Sequence, residues 1–185
     1  MPAPDLLFEH GLDVKKGWFD MASLDYSAKL SSTVEYSVKR GRVVHVGSDG
    51  TFVPGAHETN VAIFLLNGSE DADVSNPGTT AAGNFMHQAV APTGKLSGLV
   101  ATGGYEISST EYDSTKTYTP GDLLTAAQSL NNAAVGGVLT NASGAGAVTQ
   151  YVDPVVGVVS SGSAKNHNGI NAISFWCVWL PGAAA

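Results

Sequence analysis

The chain has 185 residues, of which 43% are hydrophobic and only 14% charged, with nine Lys and Arg against sixteen Asp and Glu for a net charge of -7. That is enough apolar material for a core without disulfide or metal staples. The shortage of clustered Lys and Arg argues against nucleic acid as a partner. No run of 18 apolar residues exists to cross a membrane as a helix. Twenty-two Gly, eighteen Ser and fourteen Thr suit short strands and many turns. They disfavour long exposed helices, which need Glu, Lys and Arg on their wet faces.

Charge is uneven along the chain. Residues 1–42 balance six basic against six acidic groups, whereas residues 43–185 set three Lys against ten acids. A boundary is therefore expected near residue 40, between an N-terminal arm or docking segment (1–40) and a β body (41–185). The arm carries Leu6, Leu7, Phe8, Trp18 and Phe19 without strand alternation. Exposed groups of this size favour burial somewhere, so these five are the candidate partner-binding residues. Two readings stay open: residues 1–30 dock on a partner, or they cap the body of their own chain. The N-terminus lacks the basic and apolar regions of a signal peptide, so the expected place of synthesis and folding is the cytoplasm.

In the body, Val34, Tyr36 and Val38 alternate with polar neighbours and predict a half-buried strand. Arg42–Val46 reads as a second strand, turned by Gly47-Ser48-Asp49-Gly50 into Thr51-Phe52-Val53. Val61–Leu66 is continuously apolar and predicts a strand buried on both faces. Asn67–Gly83 reads as an exposed loop. Further strands are expected at 98–101, 105–108, 122–125, 135–139, 148–152, 155–160 and 172–180, with a short helix over 123–134 as an alternative on propensity. In the last strand, Ile173, Phe175, Cys177 and Trp179 share one face and Trp176, Val178 and Leu180 the other. Such a strand is either central or has one face in a subunit interface. Many short strands at this spacing predict an all-β fold, a compact barrel or sandwich with long polar loops and an N-terminal arm.

The sequence supplies little catalytic chemistry. It has no nucleophile elbow, Walker loop, dinucleotide fingerprint or zinc-protease motif. The five His are scattered, and His57-Glu58 would point to opposite faces of a strand. Glu70-Asp71-Ala72-Asp73 lacks the Gly and the Glu of a calcium loop, with Asn76 and Ala82 in their places. The single Cys177 sits in an apolar run and reads as a core thiol. No catalytic, metal or cofactor-binding residue is expected, and no cofactor.

The phrases Lys39-Arg40-Gly41-Arg42-Val43-Val44-His45-Val46 through Val53-Pro54-Gly55, then Tyr118-Thr119-Pro120-Gly121-Asp122-Leu123-Leu124, Gly137-Val138-Leu139-Thr140 and Val155-Val156-Gly157-Val158-Val159-Ser160, form a series. It resembles the capsid decoration (cement) proteins of tailed bacteriophages, over roughly residues 39–180. The resemblance implies a non-enzymatic virion protein on the outer capsid surface, made in the host cytoplasm and bound to the major capsid protein, commonly as a homotrimer. It offers no ligand motif to carry over. The rival class is a carbohydrate-binding or adhesin-like β module using Trp18, Tyr105, Tyr112, Tyr118 or Tyr151 as stacking rings.

Overall fold

The computed structural model describes residues 12–16, 25–66, 68, 95–101, 106–142, 153–165 and 170–181. Eleven strands run through them: β1 (Leu12–Lys16), β2 (Asp25–Lys29), β3 (Val43–Val46), β4 (Phe52–Pro54), β5 (Ile63–Leu65), β6 (Lys95–Val100), β7 (Glu106–Ser109), β8 (Leu123–Ala126), β9 (Leu139–Asn141), β10 (Val155–Lys165) and β11 (Asn171–Leu180). No helix occurs among the described residues. The strands form two antiparallel sheets, a five-stranded one ordered β2-β6-β5-β3-β4 and a six-stranded one ordered β1-β7-β11-β10-β8-β9. The all-β expectation therefore holds.

The two orders are the same order. Strands β2–β6 form one unit and β7–β11 repeat its strand order, topology and register, with β1 added outside β7. In the first unit Ile63, Phe64 and Leu65 face Val100, Leu99 and Gly98. In the second, Gly157, Val158 and Val159 face Cys177, Trp176 and Phe175. The turns repeat as well. Gly41 N–H donates to Leu65 O and Leu65 N–H to Arg42 O, at 2.8 and 2.9 Å, while Gly121 N–H donates to Val159 O and Val159 N–H to Asp122 O, both at 2.8 Å. Gly41 and Gly121 stand at equivalent positions with φ of 86° and 96°, a left-handed conformation that a Cβ opposes. Ser31 caps Thr33 as Asp113 caps Thr115, and the segments they open make parallel bridges to β4 and β9, through Leu30–Phe52 and Tyr112–Leu139.

The units stack front to back. One core cluster joins Val43, Phe64 and Leu99 of the first sheet to Ile107, Leu124, Val159, Ile173, Phe175 and Cys177 of the second. Phe64 and Phe175 meet across it with ring centroids 5.4 Å apart. The other face of the first sheet holds a second cluster, including Val44, Phe52, Ile63, Leu65 and Leu96, closed by Val38 and flanked by Leu30, Val34 and Tyr36. The five-stranded sheet is thus buried on both sides, which explains the unbroken apolar run of β5, all three of whose residues are buried.

Several expectations change. Val34–Val38 is not a strand: Val34 N–H closes a turn on Ser31 O, Glu35 N–H goes to Leu130 O, and the segment lies over the second cluster. Its alternation reflects a covering loop with a buried Val38. Val135–Leu139 is a turn up to Gly137, with strand only from Leu139, and Val135 is exposed. Leu123–Ala134 is strand followed by turns, with no helix. The strand expected over 148–152 lies outside the described residues, as does the 67–83 loop apart from Gly68. On the N-terminal side of the expected boundary at residue 40, β1 pairs with β7 and β2 with β6.

Candidate functional site

Buried polar side chains collect where the two units meet. Arg42 donates from Nε to Glu111 Oε2 at 2.9 Å and from Nη1 to Gly136 O at 3.1 Å. Its guanidinium carbon lies 5.8 Å from the centroid of the Tyr36 ring, and the Tyr36 hydroxyl donates to Ser129 O at 2.8 Å. Ser109 Oγ donates to Gly41 O at 3.0 Å. Each of these bonds ties one unit to the other.

His45 is buried at the centre of the β3–β4 hairpin and donates from Nδ1 to Gly55 O at 2.9 Å. Its ring centroid is 4.8 Å from that of His57, whose Nδ1 accepts from Thr59 N–H at 3.2 Å. Burial holds the His45 pKa below the usual value, against the pull of the Gly55 carbonyl, and His57 adds to the lowering. Among the described residues no three His, Cys, Asp or Glu side chains gather as a metal site. The Cys177 thiol is buried, a core thiol as expected, and desolvation pushes its pKa up to about 12.

The outer face of the six-stranded sheet is different. Leu123, Val158 and Trp176 lie side by side across β8, β10 and β11, with Trp176 41% and Leu180 38% exposed. Beside Trp176, Glu106 accepts from Ser160 Oγ at 2.8 Å. By the repeat, this row is the counterpart of Val43, Phe64 and Leu99, which lie side by side in the first sheet and are buried against the second unit. The row with which the first unit packs onto the second is thus represented in the second unit by one exposed side chain, Trp176, and two half-buried ones, Leu123 and Val158.

The candidate partner-binding residues Leu6, Leu7, Phe8, Trp18 and Phe19 lie outside the described residues, as do Trp18, Tyr105 and Tyr151 of the carbohydrate reading. Tyr118 is not a surface ring. It is buried, donates to Asp113 O at 2.9 Å, and packs edge-on against Tyr112 at 5.6 Å. Burial pushes its pKa up to about 12. In the sequence, Trp176 is marked only by the apolar face that it shares with Val178 and Leu180. No family model matches the chain, and neither the curated proteins nor the solved structures contain a match.

Proposed function

We propose that the protein is a non-enzymatic virion component that decorates and stabilises the outer surface of a phage capsid by binding the major capsid protein. The observation that supports this reading is the row Leu123–Val158–Trp176, half-buried at Leu123 and Val158 and exposed at Trp176, the positional counterpart of a row already used for sheet-on-sheet packing. A face of that kind suits protein docking, because packing shape and apolar area, not reactive groups, are what it presents. Leu6, Leu7, Phe8, Trp18 and Phe19 supply a second contact in this proposal. The test is stoichiometric binding to purified empty, expanded capsids. Trp176→Asp should lose binding while melting close to wild type, and deletion of residues 1–11 should weaken it. Wild-type protein that fails to bind capsids would end the proposal.

One observation favours a carbohydrate ligand instead. The exposed Trp176 ring stands beside the Glu106 carboxylate and the Ser160 hydroxyl, a stacking plane with polar neighbours. Retention on a polysaccharide matrix that Trp176→Ala abolishes would select this reading.

A further inference from the structure

We propose that β2 is a self-complementary edge that pairs with β2 of a second copy, joining two five-stranded sheets across a two-fold axis. Among the described residues β2 pairs only with β6 and forms the end of its sheet. The repeat shows what this edge accepts. The equivalent strand, β7, carries an added antiparallel strand, β1. In the first unit no described strand occupies that place.

The backbone is suitably presented. Leu66 donates its N–H to Ser97 O at 2.9 Å, so Ser97 turns its peptide groups toward β5. Its partner Ser27 therefore turns its own away from β6, and by alternation so do Asp25 and Lys29. The register with β6 is regular over all five residues. The outer edge of β1 is less suited, since its register shifts between Val14 and Lys16 and it carries Lys15 and Lys16, devices that discourage edge pairing.

The sequence of β2, Asp25-Tyr26-Ser27-Ala28-Lys29, is complementary to itself when reversed. A two-fold axis through Ser27 sets Asp25 of each copy opposite Lys29 of the other, Tyr26 opposite Ala28, and Ser27 opposite Ser27. Within one chain Lys29 stands opposite Lys95. The second copy adds an Asp at the free end of that row. Ser27 and Ser97 already place their hydroxyls 3.2 Å apart, and the axis extends this hydroxyl row into the second copy. A symmetric closed pair of this kind is isologous, unlike the trimer that the cement-protein resemblance implies.

The experiment is sedimentation of the full chain over a wide concentration range, with three variants. A monomer–dimer equilibrium is expected for wild type. Ser27→Pro removes an N–H that β6 does not use, so it should melt like wild type and remain monomeric. Asp25→Lys and Lys29→Asp should each weaken the dimer by roughly tenfold or more, because each reverses a charge in both symmetric pairs. The double variant should recover most of the loss, a rescue that a merely structural role for these residues does not give. This charge reversal decides the matter if Ser27→Pro fails to fold. A monomer at every concentration, a trimer, or a dimer indifferent to the charge reversals would overturn the proposal.

Discussion

Arg42 and Glu111 form a buried ion pair, Nε to Oε2 at 2.9 Å, with side chains only 7% and 11% exposed, and it fastens the first five-stranded unit to the second. A pair of this kind is costly to break, because the partner left behind is a buried charge. Glu111→Ala should destabilise by roughly 3–5 kcal/mol in urea unfolding. The double variant Arg42→Met/Glu111→Leu should recover most of that, since it leaves no orphan charge. Recovery absent from the double variant would mean that Arg42 acts chiefly through its bond to the Gly136 carbonyl.

Phe64 and Phe175 are both fully buried and meet between the sheets. Phe64→Ala and Phe175→Ala should each cost roughly 3–5 kcal/mol. Together they should cost less than their sum, by about 0.5–1.5 kcal/mol, because they remove one shared contact. Trp179 shares the inward face of β11 but is only partly buried at the rim of the cluster, so Trp179→Ala should cost less than Phe175→Ala. Chemical denaturation of the four variants checks the order.

Gly121 has φ of 96° and nothing within 4 Å of where a Cβ would stand. Gly121→Ala therefore tests the left-handed conformation alone, without a steric collision. It should cost about 1–2 kcal/mol and lower Tm by roughly 3–6 °C. An unchanged melt would show that the turn into β8 relaxes at no cost.

Apolar runs made much of this architecture legible. β3, β5 and β11 fall where Val43–Val46, Ile63–Leu65 and Asn171–Leu180 concentrate apolar residues, and β11 proves central, between β7 and β10. The alternating Val34, Tyr36 and Val38 misled, because a loop crossing a sheet face can bury every other residue without a strand partner. The repeat was hidden for a physical reason too. It is kept by backbone register and by Gly41/Gly121, whereas the β3–β4 turn is Gly47–Thr51 and the β8–β9 connection runs from 127 to 138. Equivalent core positions hold different residues, such as Gly98 and Phe175. The outward Trp176 row acquires meaning only once that register is known.

Stability should also fall in acid through His45. His45 is buried and its pKa is lowered, first by desolvation and further by His57, with the Gly55 carbonyl opposing. In the unfolded chain its pKa returns to about 6.5. Above that value both states hold a neutral ring, and the favourable contribution is fully present. As pH falls below about 6.5 the unfolded chain takes up a proton that the folded one resists, so stability declines until the lowered His45 value is passed. Beyond it, the folded ring is charged as well, and this source of pH dependence ends. His45→Gln should flatten the decline while leaving the shape of the profile above pH 7 unchanged. Urea unfolding at steps from pH 8 down to 5 measures both profiles. A wild-type decline that persists undiminished in His45→Gln would assign it to another group.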